Sequence, residues 1–214
     1  MVNSMGREFH VGDEEGDVDE GWCPYPPLFL DMTPVSALTF DSRRELLWAG
    51  AESGRLISYT LPEQELYTTF LPSEHPLDLL RCIDDSRMLA ISKDTLLVLT
   101  GGGYASMTFR NDKYSMLLSA ELTDGMHHAY VGDHVSSCLV VDLETSRVIM
   151  ESPSSGGIPC MSSQDGILHC GTTLGELVVR DSRTLRVQKS IKAHSAVAQL
   201  SVQGHYVASC GYVS

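Results

Sequence analysis

A glycine returns at intervals of about 40 residues, and that interval constrains the fold more than any other feature of the chain. Gly171 lies 39 residues after Gly132 and 40 before Gly211. Gly50 lies 82 before Gly132, so one weaker copy is expected between them, near Ile91. A short apolar run leads into each glycine: Leu46-Leu47-Trp48-Ala49-Gly50, Ala129-Tyr130-Val131-Gly132, Ile167-Leu168-His169-Cys170-Gly171 and Val207-Ala208-Ser209-Cys210-Gly211. A turn-length link follows, then a second apolar strand. That strand ends in Asp142 after Val140-Val141 and in Asp181 after Val179-Arg180, again 39 apart. A third, more polar strand closes the unit at residues 186–191. Short strands in a meander leave open edges and an unburied face, so such a unit needs copies of itself beside it.

A period near 40 with about four short strands per unit is the mark of a β-propeller of WD type. A leucine-rich solenoid needs a shorter period, and helical repeats need long segments of 3.6-residue periodicity, which this chain lacks. The expected fold is all-β: a WD40-type β-propeller over residues 34–214, with blades near 35–70, 77–109, 115–152, 158–193 and 197–214. Expected strands include 77–83, 104–109 and 147–151. Propellers close with roughly 4–8 blades, so about four and a half blades of an expected seven make an incomplete propeller.

The dipeptides usual in such repeats are replaced here. Val140-Val141-Asp142 and Val179-Arg180-Asp181 stand where Trp-Asp is usual, and Ala193-His194 where Gly-His is usual. A repeated polar position implies a repeated hydrogen bond, because buried polar groups need partners. Asp142, Asp181 and His194 are therefore assigned to tying turns within a blade. Catalytic patterns are missing: there is no His-Glu-x-x-His, Gly-x-Ser-x-Gly, Walker-type loop or zinc-knuckle spacing. His127, His128 and His134 come nearest to a metal set. Ligands must converge, however, and neighbours on a strand point to opposite faces. Asp84-Asp85 and Glu14-Glu15 read as turn and tail carboxylates rather than an acid/base pair. Gly101-Gly102-Gly103 is followed by a strand, where a phosphate-cradling loop would lead into a helix. No catalytic, cofactor-binding or metal-binding residue is assigned, and the partner-binding residues are left unassigned.

Composition sets the remaining bounds. With 214 residues and 43% apolar content the chain can bury a sizeable core. Its net charge is −13, and the first 20 residues hold seven carboxylates against Arg7 alone. Residues 1–33, acidic and then proline-containing, have too few apolar groups to offset the entropy of ordering and are expected to form a mobile leader. Such a balance excludes holding nucleic acid by phosphate neutralisation alone, while leaving room for a local basic patch on one face. The six cysteines (Cys23, Cys82, Cys138, Cys160, Cys170 and Cys210) form no Cys-x-x-Cys pair. They are expected as reduced thiols, packed as small apolar groups in a cytosolic or nuclear protein. The opening residues lack a signal-peptide pattern, and no apolar run approaches the ~18 residues of a membrane span.

Three segments carry a more particular likeness. They are Glu45-Leu46-Leu47-Trp48-Ala49-Gly50 with Tyr67-Thr68-Thr69-Phe70, Cys170-Gly171-Thr172-Thr173-Leu174-Gly175-Glu176-Leu177 followed by Arg180 to Val187, and Ala208-Ser209-Cys210-Gly211-Tyr212. Together they resemble the N-terminal propeller of the catalytic subunits of poly(A)-nuclease (PAN) deadenylation complexes. The likeness runs in order over residues 35–214, and Arg180-Asp181-Ser182-Arg183-Thr184-Leu185 is its most specific part. In that family a linker, an inactive ubiquitin-hydrolase-like domain and a DEDD-type 3′-exonuclease domain follow the propeller. No position here matches the exonuclease carboxylates. The resemblance therefore implies a noncatalytic scaffold with no cofactor of its own, magnesium being expected for the nuclease domain of the parent. It also implies a pseudokinase-like partner subunit and, indirectly, poly(A) ribonucleoprotein. The output would be shortened mRNA tails in the cytoplasm, including processing bodies, and in the nucleus. The alternative is a generic WD40 adaptor of an unrelated assembly, such as a coat or a ubiquitin-ligase receptor.

Overall fold

The middle strands of the second and third repeats are apolar through their centres, so successive side chains must be buried on opposite faces. Such strands need a neighbouring sheet on either side, and the computed structural model, which describes residues 33–114 and 116–212, shows that arrangement. The leader expected over residues 1–33 lies, but for Thr33, outside the described residues, as does Cys23. Blade one is β1 (Val35–Asp41), β2 (Leu46–Ala51), β3 (Leu56–Thr60) and β4 (Leu66–Phe70). Blade two is β5 (Leu79–Cys82), β6 (Arg87–Ser92), β7 (Thr95–Thr100) and β8 (Ala105–Phe109). Blade three is β9 (Leu117–Leu122), β10 (His128–Asp133), β11 (Ser137–Asp142) and β12 (Val148–Pro153). Blade four is β13 (Cys160–Gln164), β14 (Ile167–Gly171), β15 (Glu176–Asp181) and β16 (Val187–Lys192). Each blade is a four-stranded sheet in sequence order, and β17 (Ala196–Gln203) pairs with β18 (Tyr206–Tyr212) in a two-stranded sheet. No helix occurs among the described residues.

Strand limits differ from the sequence expectation by one or two residues, for local reasons. The strand expected at 77–83 spans Leu79–Cys82, because the Leu77 N–H is committed to the carbonyl of Ala51 in the preceding blade. The strand expected at 104–109 begins at Ala105, since the Tyr104 carbonyl closes the turn onto the Thr100 N–H. The one expected at 147–151 runs over Val148–Pro153.

The core lies between blades rather than inside them. Leu46, Trp48, Leu56, Leu80, Met88, Ala90, Leu97 and Leu99 pack where blade one meets blade two. The alternate residues of the same strands, Leu89, Ile91, Leu96 and Val98, join Leu117, Ala129, Val131, Leu139 and Val141 between blades two and three. Tyr130, Cys138 and Val140 then turn the other way, onto Leu168, Cys170, Val178 and Leu185 of blade four. Each fully buried leucine or valine contributes about 1.5–3 kcal/mol over an exposed one. A blade therefore draws its stability from its neighbours.

The recurring glycine sits where the next blade arrives. A Cβ at Gly50 would lie 2.8 Å from the Leu77 Cβ, one at Gly132 would lie 2.6 Å from the Ile158 carbonyl oxygen, and one at Gly171 would lie 2.5 Å from the Val197 Cγ1. The residue after each glycine accepts a backbone hydrogen bond from that same neighbour: Ala51 from Leu77 (3.4 Å), Asp133 from Ile158 (3.0 Å) and Thr172 from Val197 (3.0 Å). In blade two Lys93 accepts from Leu117 at 3.2 Å, which puts Ser92 at the glycine position. The weaker copy expected near Ile91 is thus centred one residue later. The Ser92 hydroxyl compensates by bonding Ser73 Oγ (2.8 Å) and donating to the His75 carbonyl (3.2 Å). Two further junctions are fastened by hydroxyls, Ser36 to the Leu77 carbonyl (2.8 Å) and Ser119 to the Ile158 carbonyl (2.5 Å).

Candidate interaction surface

A turn between the third and fourth strands recurs in blades one, three and four, and one residue shorter in blade two. Thr60, Thr100, Asp142 and Asp181 each donate their N–H to the carbonyl of Glu65, Tyr104, Arg147 and Arg186, respectively. In blades three and four the aspartates add side-chain acceptors. Asp142 Oδ1 accepts from the N–H groups of Glu144 (3.0 Å) and Thr145 (2.6 Å) and from Thr145 Oγ1 (2.8 Å). Asp181 Oδ1 accepts from the N–H groups of Arg183 (3.1 Å) and Thr184 (2.9 Å) and from Thr184 Oγ1 (2.8 Å). These donors hold both carboxyls below their ordinary range, led by the Thr145 N–H at Asp142 and by the Thr184 hydroxyl at Asp181. Partial burial would raise the Asp84 carboxyl, but the Ser86 N–H, the Arg87 guanidinium and the Ser86 hydroxyl outweigh it and hold the group at about 2. Its neighbour Asp85 pairs with Arg43 at 2.9 Å in solvent. Carboxylates stabilised in this way carry no proton to donate near neutral pH and make poor general acids. His194 Nε2 lies 3.0 Å from Ser209 Oγ, so it too ties structure locally.

Arg180 occupies the place where a tryptophan is usual, and it is almost completely buried. Its Nη1 donates to Ser152 Oγ (2.8 Å) and to the Leu185 carbonyl (3.0 Å), while Nη2 donates to the Pro153 carbonyl (2.8 Å). Ser152 and Pro153 belong to β12, so this side chain bolts blade four to blade three. Leu185, in the same turn, is fully buried and adopts φ 56°.

The remaining candidates are dispersed. His127 Nδ1 lies 3.6 Å from Glu144 Oε1 and His128 Nε2 3.5 Å from Asp142 Oδ2. The backbone of His134, by contrast, bonds to Met116 at the other end of β10. His127 and His128 border an open depression between blades three and four with Asp124, Tyr130, Asp165 and Arg183. The Tyr130 hydroxyl there donates to the Ser182 carbonyl at 3.0 Å. Among the described residues no group of three or more His, Cys, Asp or Glu could hold a metal ion. The triple glycine has a packing role: Gly103 has φ +77°, and a Cβ there would meet the Phe70 ring at 2.2 Å. Cys82, Cys138, Cys160, Cys170 and Cys210 are free and lie in strands. Burial pushes the Cys160 thiol up to about 11, which makes it a poor nucleophile.

What these elements present to solvent is strand edges and turns. The same blade geometry is found in the solved Neurospora crassa Pan2 WD40 domain, with a TM-score of 0.75 and 22% identity over 88% of this chain and 59% of that chain. The WD40 β-propeller of Doa1 matches with a TM-score of 0.70 and 16% identity, over 82% of this chain and 60% of that one. The family described as PAN2 N-terminal matches residues 31–214. The chain belongs to the PAN2 N-terminal family. The human PAN2-PAN3 deadenylation complex catalytic subunit PAN2 is 29% identical over 188 residues, which are 85% of this chain and 15% of the human protein. The subunit of the same name from Meyerozyma guilliermondii is 31% identical over 192 residues, 84% of this chain and 17% of that protein. The chain thus spans under a fifth of the length of these PAN2 relatives.

In this PAN2 N-terminal chain the most specific stretch of the sequence likeness, Arg180 to Leu185, is a turn that fastens two blades. Sequence reasoning did not find Ser36, Ser119 or the bolting role of Arg180. The arginine in place of tryptophan was the available signal for the last of these. The serines gave none, because their acceptors lie about 40 residues away.

Proposed function

We propose that this chain is the noncatalytic propeller of a poly(A)-specific mRNA deadenylase, acting as a protein-interaction scaffold. The observation that carries the reading is the PAN2 N-terminal match over residues 31–214 on a frame whose turn carboxylates and buried polar groups serve its own packing. The relatives are named as catalytic subunits of the PAN2-PAN3 deadenylation complex, and the chain covers 15–17% of them. The nuclease and its magnesium then belong to other parts of such a protein. The propeller helps to engage the pseudokinase-like partner subunit and to orient poly(A) ribonucleoprotein, for mRNA decay in the cytoplasm, processing bodies and the nucleus.

The test is direct. Residues 1–214 incubated with magnesium and 5′-labelled poly(A) should leave the tail length unchanged over a time course in which a full-length PAN2-family protein shortens it. Shortening by residues 1–214 would overturn the proposed division of labour.

A further inference from the structure

Cations on the first three blades are commonly neutralised, Lys93 and Arg147 being exposed exceptions with no ion pair among the described residues. Arg43 pairs with Asp85 (2.9 Å), Arg87 with Asp84 (2.8 Å), Arg110 with Asp94 (2.9 Å) and Lys113 with Glu151 (2.5 Å). Blade four departs from this. Arg183, Arg186, Lys189 and Lys192 are all exposed, and none of them forms a salt bridge among the described residues. In a chain of net charge −13, residues 182–214 contain no aspartate or glutamate. Asp181, the nearest carboxylate before them, is turned onto the backbone of its own turn. Lys192 reaches the Leu174 carbonyl and faces Glu176 across the strand pair without forming an ion pair, the Glu176 carboxylate accepting from Ser155 Oγ instead.

Three of these four cations lie on or immediately before β16, the last strand in its sheet, every residue of which is exposed. Its outer backbone N–H and C=O groups therefore face solvent unpaired by any further strand of the sheet. Lysine on an edge strand can serve merely to block aggregation. Here, however, the corresponding outer strands β4 (LYTTF), β8 (ASMTF) and β12 (VIMESP) carry no lysine or arginine within them, and their flanks hold only Arg110 after β8 and Arg147 before β12. The charge is concentrated on one edge.

We propose that β16, with Arg183, Arg186, Lys189 and Lys192, is a docking edge for an acidic, extended segment of a protein partner, which adds to blade four as a fifth strand. Main-chain hydrogen bonds supply the pairing, and the cations, with Lys189 and Lys192 about 10 Å apart on opposite faces of β16 and Arg183 in the turn before it, select carboxylates and speed encounter. Nucleic acid fits less well. Residues 183–192 include no aromatic side chain on which a base could stack. The inference stands on edge and charge alone, independently of the deadenylase reading.

Fluorescence anisotropy of a labelled, alternating Val-Glu peptide with residues 1–214 tests it at about 50 mM salt, where screening is weak. Arg186→Glu with Lys189→Glu should weaken binding about ten-fold or more while leaving the circular dichroism spectrum unchanged. If that variant misfolds, Arg186→Gln with Lys189→Gln should give a smaller loss in the same direction. A peptide with prolines in place of two valines, which cannot complete the strand ladder, should bind about ten-fold more weakly to the unaltered chain. Equal binding of the proline peptide would overturn the proposal, as would indifference to charge reversal. So would an oligoadenylate that outcompetes the peptide, or self-association of the chain through this edge that excludes it.

Discussion

At Gly132 there is no room for a methyl group. A Cβ there would lie 2.6 Å from the Ile158 carbonyl oxygen, 2.7 Å from the Ile158 Cβ and 2.8 Å from Ser119 Oγ. Gly132→Ala should therefore cost about 1–3 kcal/mol in urea unfolding. Gly125→Ala, where the nearest atom is 3.8 Å away, should change stability by under about 0.5 kcal/mol. Equal effects at the two sites would refute the junction role. Arg180→Ala should cost more, about 3 kcal/mol, because it leaves a cavity and strands the Pro153 and Leu185 carbonyls; a loss below about 1 kcal/mol by the same measurement would show the bolt to be dispensable. The period located Gly50, Gly132 and Gly171 in the sequence, but not what each contacts. That contact is made with Leu77, Ile158 and Val197, beyond the reach of local pattern. Ser92 escaped notice for a related reason: its hydroxyl bonds replace the glycine's close approach with another means of tying the junction.

Among the turns, the aspartates set a pH dependence. In the unfolded chain an aspartate titrates near 3.9, whereas Asp84 is held at about 2, with Asp142 and Asp181 displaced in the same direction. A depressed folded-state pKa means that the unfolded chain binds protons first as pH falls. The stabilisation is thus fully present above about pH 4 and lost progressively between about pH 4 and pH 2. Thermal melts should show the melting temperature falling across that window. Asp84→Asn, which keeps an acceptor for the turn but loses the charge facing Arg87, should melt lower at neutral pH and show a shallower fall. A fall of unchanged steepness would assign the acid sensitivity elsewhere. The elements themselves were largely readable, because strands such as Leu46–Ala51 and Thr95–Thr100 are bounded by polar turns and carry β-favouring apolar residues. Their ends were less so: whether Leu77 or Tyr104 joins a ladder depends on bonds to another blade or across a turn.

Across the whole molecule, the two faces of the middle strands of blades two and three feed two different cores, so the blades are held as a series of shared interfaces. This is why a bare period of about 40 residues was enough to read the WD40-type fold even though the Trp-Asp motifs are replaced. The interaction surface was not legible in the same way. A net charge of −13 averages over the chain and hides a basic edge at residues 183–192, and neither period nor motif marks which edge is free. The decisive experiment compares a full-length PAN2-family protein carrying this chain with a version lacking residues 34–214, on naked poly(A) and on poly(A) coated with its binding protein. A noncatalytic scaffold predicts that shortening of naked poly(A) survives the deletion, while shortening of the coated substrate and capture of the partner subunit decline. Loss of naked poly(A) shortening by a correctly folded remainder, or undiminished activity on the coated substrate, would contradict it.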